Sequence, residues 1–444
     1  MTTTRFAPAP TGRLHLGNLR TAVLNWLAAR RGGGRFLLRI DDTDRERSRE
    51  DYVQTIRDDL AWLGISPDGE ARQSERFGRY GAEFARLREA GRVYPAYETP
   101  EELELSRKVR LGRGLPPVYD RAALQLTDAD RARLEAEGRR PHWRFRLDHD
   151  RPIAWDDGVR GPQHFDPHQL GDPVIRRADG SWLYLFPSVV DDMDLQVTDV
   201  VRGEDHVTNS AVQIQMWEAL GASPPRLAHT ALLVGGHGKL SKREGSAGVD
   251  ALRADGIEPL AVLAFLARIG TSLPVEPVAS SDALIERFDL STFGRAPAHF
   301  DPHELETLSA RTLHLLPYKA VAARLPDVIG PEAWPVIRSA LHRLEDVAAW
   351  AEVLTGDPAP PPPAPDDRDY LAAAAAIAEA LPWNADPWHA LTGELKARTG
   401  RKGRALFLPL RLALTGRAEG PEMAALLPLI PKPLALDRLR AGAG

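Results

Sequence analysis

Two short segments set far apart constrain this chain more than any other feature: Phe6-Ala-Pro-Ala-Pro-Thr-Gly-Arg-Leu-His-Leu-Gly-Asn18 and Gly238-Lys-Leu-Ser-Lys-Arg243. In the first, Thr4-Arg-Phe-Ala7 reads as a short buried strand, ended by Pro8 and Pro10, which cannot continue a ladder. Gly12 permits a tight turn. From Leu16 the apolar residues fall at Leu16, Leu19, Val23, Trp26 and Leu27, a helical spacing that runs to about Arg31. The segment is therefore a strand–turn–helix elbow with a helix N-terminus exposed. Unpaired N–H groups and the helix dipole there favour phosphate oxygens. His15 either adds a donor without a fixed full charge or merely caps the helix. Gly17 would let a flat ring or a sugar approach the backbone.

The second segment stands out against the composition. Lysine occurs at positions 108, 239, 242, 319, 396, 402 and 432 only, among 57 Lys and Arg residues. Yet Lys239 and Lys242 share one glycine-flanked loop. Lysine is a compact, mobile ammonium and arginine a rigid planar fork, so a loop that follows charge moving onto a leaving phosphate suits lysine. The bland alternative is a solvated basic loop. With the elbow, the two segments read as a two-sided clamp for a triphosphate.

At 444 residues the chain should form three or four domains. Its 43% hydrophobic and 27% charged residues are ordinary for a globular protein. No stretch approaches the roughly 20 apolar residues of a membrane span, and the Thr-rich start does not read as a signal peptide. The lack of cysteine excludes disulfides and thiolate zinc sites and suits a reducing cytoplasm. With a formal net charge of −5, nucleic-acid contacts would have to come from local basic patches.

Along the chain, Arg35–Ile40 reads as a buried strand followed by Asp41-Asp-Thr-Asp44 at its carboxyl end, where open α/β sheets place ligands. Asp51–Leu63 is an amphipathic helix. Charged helices (Pro100–Leu111, Thr127–Gly138) and short strands such as His142–Arg146 then read as an insertion. Asp172–Ile175, Ser181–Phe186 and Gln196–Arg202 read as strands and Asn209–Leu220 as a helix. Later text is mainly helical, broken by the proline-rich spacer 357–365. No Ser/His/Asp grouping is evident, and His142, His149, His164 and His168 look scattered.

In this order the two segments resemble the HIGH and KMSKS signatures of class I aminoacyl-tRNA synthetases. Arg39-Ile-Asp-Asp-Thr-Asp-Arg45, Gln73-Ser-Glu-Arg76, Val189-Val-Asp-Asp192 and Val200-Val-Arg-Gly-Glu-Asp-His206 are similar to segments of the glutamyl and glutaminyl members. The resemblance covers nearly the whole chain and points to the bacterial glutamyl enzymes. It implies a Rossmann-type catalytic domain (1–80 and 174–245) split by an α/β acceptor-binding insertion (81–173). A stem-contact helical domain (246–300) and an all-helical anticodon-binding region (301–444) would follow.

Carried over by position, the resemblance implies ATP contacts at Pro8, His15, Gly17, Asn18, Lys239, Ser241, Lys242 and Arg243, with His15, Lys239 and Lys242 catalytic. Asn18 replaces the last His of the signature. Glutamate would meet Ala7, Ala9, Tyr184 and Ser188, with its side-chain carboxylate on Arg5 and Arg202 and its ammonium on Asp41. Alternatively Arg5 and Asp41 pair with each other across adjacent strand ends, and Asp191 and Asp192 read as structural carboxylates. Glu204 and Asp205 would lie near the acceptor end and ribose. Arg338, His342 and Arg343 would share a helical face, and Arg343, Arg401, Arg404 and Arg411 would contact tRNA, the plain reading being a solvated surface. Mg2+ would accompany ATP. Where some relatives hold zinc through cysteines, Ala96-Tyr-Glu-Thr99 stands here, so no zinc is expected.

The expected activity is ATP-dependent activation of L-glutamate and its transfer to tRNA(Glu) by a cytoplasmic monomer. The alternatives are a truncated-paralogue type that glutamylates a tRNA base, a small-metabolite adenylyltransferase, and a non-catalytic tRNA-binding relative.

Overall fold

A computed structural model describes the chain except for residues 236–237, 240–247, 357, 359 and 384–385 and the side chains at 238 and 239. It divides into two compact units. One holds Met1–Leu252, Leu263–Val275 and Ser281–Asp301; the other holds Arg253–Val262, Glu276–Ser280 and Pro302–Gly444. The stretch 246–300, expected as a domain of its own, is shared between the two.

The first unit begins with β1 (Thr3–Phe6), α1 (Leu16–Arg31), β2 (Arg35–Ile40), α2 (Glu50–Trp62) and β3 (Gly69–Arg72). The strands form a parallel sheet in the order β1-β2-β3, with Thr4 opposite Phe36 and Phe6 opposite Leu38. All of β1 is buried, as befits a parallel strand covered on both faces. Gly33, at φ +57°, takes the left-handed conformation that ends α1 and turns the chain into β2.

The inserted part comprises α3 (Phe77–Glu89), β4 (Val93–Ala96), α4 (Pro100–Gly112), α5 (Asp128–Ala136), β5 (His142–Phe145), β6 (Ile153–Asp157), β7 (Gly161–Phe165) and β8 (Val174–Arg176). Strands β4, β5 and β8 pair antiparallel, and β6 and β7 form a hairpin. Helices α4 and α5 bury no residue; each opens on a threonine capping box, at Thr99 and Thr127. The insertion has no separate main core: Phe145, Ile153 and Ile175 pack in one cluster with Tyr80, Val200 and Trp217.

The chain returns through α6 (Leu185–Asp194), β9 (Asp199–Gly203), α7 (Val207–Ala219) and β10 (Arg226–Thr230). Strand β9 pairs parallel with β10, and the Thr198 N–H donates to Thr3 O at 2.9 Å, so this pair extends the sheet beyond β1. The chain thus leaves β1 to one side for β2 and comes back on the other as β9. Such a switch point opens a crevice at the carboxyl ends of the strands.

Two strand expectations fail here. Ser181–Phe186 is not a strand: it runs into α6, with Pro187 in the first turn, where a missing N–H removes no helical bond. Helix α6 is buried from Phe186 to Asp192, and its polar side, Ser188, Asp191 and Asp192, meets buried partners rather than water. The strand expected from Gln196 starts only at Asp199, because Gln196 takes a left-handed φ of +56° as the chain leaves the helix.

Finally, β11 (Leu233–Gly235) pairs antiparallel with β12 (Gly238–Lys239) and parallel with β13 (Ala298–His299). The second unit is helical. Helices Val347–Thr355, Pro365–Ala380, Pro387–Thr399, Arg404–Thr415 and Lys432–Ala441 enclose a core with Trp350, Leu391 and Leu410. The first two of these helices, which flank the proline-rich run in the chain, share that core, so the run does not separate two units. Among the described residues no helix is long and apolar enough to cross a membrane.

Candidate active site

The crevice holds a cavity of about 310 Å³ at the ends of β1, β2, β9 and β10. Arg5, Ala7, Pro8, Ala9, His15, Gly17, Asn18, Asp41, Tyr184, Ser188 and Arg202 all line it. Arg20, Arg39, Asp205, His206 and Thr230 join them. Ser241, Lys242 and Arg243 lie outside the described residues, as does the side chain of Lys239.

His15 caps α1. Its Nδ1 accepts from the N–H groups of Gly17 at 3.1 Å and Asn18 at 3.3 Å, which places the proton of the neutral ring on Nε2. The capping role and a place in the cavity wall coexist in this residue. A Cβ on Gly17 would stand 3.0 Å from His15 Cε1, so the glycine is what lets the ring fold back over the helix start. The His15 backbone also bridges to Gly248, and Arg13 pairs with Asp250 at 2.5 Å. The chain just past the lysine-bearing segment is therefore tied to the elbow.

Beside the elbow, guanidinium and carboxylate groups interlock. Fully buried Arg39 reaches Asp41 through Nε at 2.6 Å and Nη2 at 3.0 Å, Asp192 at 2.8 Å and Ser188 Oγ at 3.1 Å. Arg5 holds Asp192 at 3.0 Å. The Arg5–Asp41 pair considered from the sequence does not form, because each has its own partner. Asp191 receives Gln73, Arg76 and Tyr80, so both carboxylates of the Val-Val-Asp-Asp run are structural, as read from the sequence. Burial pushes the Asp41 carboxyl up to about 6, against the pull of Arg39.

Arg202 differs from its neighbours. It is buried, yet among the described residues its partners are all uncharged acceptors: Ser210 Oγ at 2.5 Å, Gln213 Oε1 at 2.7 Å and His229 Nε2 at 3.4 Å. Burial, and then Arg5, lower it to about 10, which still leaves it charged at neutral pH. Tyr184 presents its hydroxyl at 3.4 Å from His206 Nδ1, and burial lowers His206 to about 4, so that ring is neutral. Glu204 is engaged by Arg160 of the β6–β7 turn, whereas Asp205 faces the cavity.

Arg39, Ser210, Gln213, His229 and Asp157 were missed as site residues. Arg39 stood inside a quoted motif; the others carry no local pattern. A Ser/His/Asp row does exist, through Ser210, His229 and Asp157, which lie too far apart in the chain for the sequence to show it. Nor are all the histidines scattered, since the His149 and His168 rings stand 4.4 Å apart.

In the helical unit the arginines separate. Arg338 and Arg343 do not share a helical face: the turn Arg338–Ala340 ends at Leu341, which goes extended to bury its side chain. Arg401 pairs with Asp367 and lies 4.3 Å over the Tyr370 ring, and Arg411 donates to Pro421 O at 2.8 Å. Arg343 and Arg404 are exposed.

Residues 1–307 match the family model for the catalytic domain of class I tRNA synthetases (E and Q), and residues 310–443 match that for an anticodon binding domain. The chain belongs to the class I glutamyl- and glutaminyl-tRNA synthetase family. It is 62% identical over 443 residues to glutamate–tRNA ligase 1 of Rhizorhabdus wittichii, covering 100% of both chains. It is 61% identical to glutamate–tRNA ligase 1 of Novosphingobium aromaticivorans, over 99% of this chain and 100% of that one. A glutamate tRNA ligase from Elizabethkingia meningosepticum, solved with its amino acid, superposes with a TM-score of 0.82 at 26% identity, over 100% of this chain and 99% of that one. Within the family the activity is that of a glutamate–tRNA ligase, not of the paralogue or adenylyltransferase alternatives.

Proposed function

We propose that the cavity holds glutamate with its side-chain carboxylate on Arg202 and Arg5 and its ammonium on Asp41. The observation that carries this is Arg202: a buried charge in the cavity wall with no ion pair among the described residues. A buried guanidinium without a counter-charge is costly unless a ligand supplies one. Tyr184 and Ser188 shape the wall around it.

The phosphates of ATP lie at the start of α1, where the helix dipole and the His15 ring, whose Nδ1 already takes the Gly17 and Asn18 N–H groups, meet them. Lys239 and Lys242 would supply further positive charge to the same phosphates. The α-carboxylate oxygen of glutamate forms a bond to the α-phosphorus while the bond to pyrophosphate breaks. A ribose hydroxyl of the tRNA terminus then attacks the acyl carbon and AMP leaves. Holding the reactants in line and stabilising charge on phosphorus accounts for the catalysis, with no covalent enzyme intermediate. Among the described residues no group of three His, Cys, Asp or Glu is placed to hold a metal ion. Mg2+ would arrive with the phosphates, whose charge it neutralises.

The inserted part takes the acceptor end of tRNA(Glu), with Glu204 and Asp205 near the terminal ribose. The helical region reads the anticodon, with Arg343 and Arg404 as its contacts. The lack of cysteine supports a cytoplasmic setting, and a monomer remains part of this reading. A charging assay with purified tRNA(Glu) and tRNA(Gln), offering each amino acid in turn, tests this reading. Charging of tRNA(Glu) with glutamate is expected, and its failure would sink it.

A further inference from the structure

Behind Arg202 the fold buries a row of side chains that the reaction itself does not use. Asp157 ends β6 in the inserted part, His229 lies in β10 and Ser210 in α7. The Asp157 carboxylate meets His229 Nδ1, His229 Nε2 lies 2.7 Å from Ser210 Oγ, and that oxygen lies 2.5 Å from Arg202 Nη2. Ser210 and His229 are 0% exposed and Asp157 5%, and none of them lines the cavity. Asp157 also accepts from the backbone N–H groups of Val159, Arg160 and His229, which fix its place.

The donors set a single direction. A guanidinium has only donors, so Ser210 Oγ accepts from Arg202 and turns its own hydrogen to His229 Nε2. The ring then carries its proton on Nδ1 and donates it to Asp157. Burial lowers His229, so the ring stays neutral. Burial alone would raise Asp157, but hydrogen bonds from His229 and the backbone hold it well below the usual carboxylate range. Reversing any link would set two donors or two acceptors face to face. The row has the composition of a hydrolytic triad, but its serine is closed off by burial and its oxygen is already engaged by Arg202.

We propose that Asp157, His229 and Ser210 form a polarised relay that fixes the Arg202 guanidinium and so sets the preference for a side-chain acid over its amide. Nε and Nη2 of Arg202 face the relay and Gln213, while Nη1 has no partner among the described residues. That leaves Nη1 for a carboxylate in the cavity. A carboxylate paired directly with Arg202 would compete with the substrate; one set behind two neutral groups offsets only part of the buried charge and leaves the substrate to supply the rest. The three are positioning residues, and the idea rests on Arg202 reading the glutamate side chain.

The test is steady-state charging by the full-length enzyme, with L-glutamine as a competitive inhibitor. Ser210→Ala and Asp157→Asn should raise KM for glutamate about 10- to 100-fold, the range for losing a hydrogen bond to a charged group. KM for ATP and for tRNA, and the inhibition constant of glutamine, should stay within about twofold. Ser210→Thr keeps the hydroxyl and should restore most of the glutamate KM. A merely structural role would lower the melting temperature and weaken glutamate, glutamine and ATP together, which would overturn the relay; so would an unchanged glutamate KM in both variants. Arg202→Ala serves as the reference. If it leaves glutamate KM unchanged, the reading of Arg202 itself is wrong. If it raises that KM and the relay variants do not, only the relay is wrong.

Discussion

Arg39 in the catalytic unit and Arg404 in the helical unit are the same side chain in opposite settings. Arg39 is buried at the carboxyl end of a parallel strand, with Asp41, Asp192 and Ser188 fixing its nitrogens. Arg404 is exposed at the start of a helix. Buried arginines in the crevice have positions dictated by the sheet, so altering one should act on a single substrate. Exposed arginines of the helical unit should act through long-range, salt-screened attraction. A third kind, Arg401 and Arg411, sits in the same basic stretch as Arg404 but holds the fold.

That contrast can be broken or sharpened by substitution. The largest effect is expected at the lysine segment, where Lys242→Ala should lower kcat about 10²- to 10³-fold with little change in glutamate KM, as for loss of one electrostatic stabiliser. Lys242→Arg should be impaired as well, since a planar fork does not replace an ammonium. Near wild-type kcat in Lys242→Ala would remove the clamp from the account.

Next comes pH. Asp41 must be ionised to hold an ammonium, and its carboxyl is raised to about 6. kcat/KM for glutamate reports the free enzyme, so it should fall about tenfold per pH unit below that value. Stability has the opposite sign for this group. Its folded value lies above the ordinary 3.8, so its contribution is full below 3.8 and is lost as pH rises through about 6. Acidification should therefore cost activity without unfolding by this route. A kcat/KM profile flat from pH 7 to 5 would take Asp41 out of the site.

Smaller effects separate the helical arginines. Arg401→Ala should destabilise the helical unit by about 1–2 kcal/mol, through loss of the Asp367 pair and the contact over Tyr370, with tRNA KM unchanged once folded. Thermal melting against charging kinetics decides it. Arg404→Gln should leave melting alone and flatten the salt dependence of tRNA binding by a slope of about 1, as for one lost phosphate contact. Exchange of these two outcomes would reverse the assignment.

The same contrast explains what the sequence could tell. The elbow was legible because Pro8, Gly12 and the Leu16–Leu27 spacing each allow few conformations, and all described glutamate and ATP candidates line one cavity. Asp191 and Asp192 were legible as structural because two adjacent acids in an apolar run need buried partners. Helix α6 was not legible, since its polar residues Ser188, Asp191 and Asp192 turn to buried partners instead of water. The Asp157–His229–Ser210 row was not either, because its members come from a hairpin, a strand and a helix that only tertiary packing brings together. The arginines of the helical unit gave the weakest reading: Arg401 and Arg404 look alike in sequence, and only their neighbours in space differ.

The central claim is that substrate acid is read in the crevice and tRNA on the helices, each by its own arginine. The direct measurement is a paired set of charging kinetics, varying glutamate and tRNA(Glu) separately, for Arg202→Ala and Arg404→Gln. Arg202→Ala should cost about 2–5 kcal/mol in kcat/KM for glutamate, the range for stranding a buried charged partner, with tRNA KM unchanged. Arg404→Gln should raise tRNA KM and leave glutamate KM alone. Equal losses for both substrates in Arg202→Ala, or a glutamate KM that shifts with Arg404, would contradict the account.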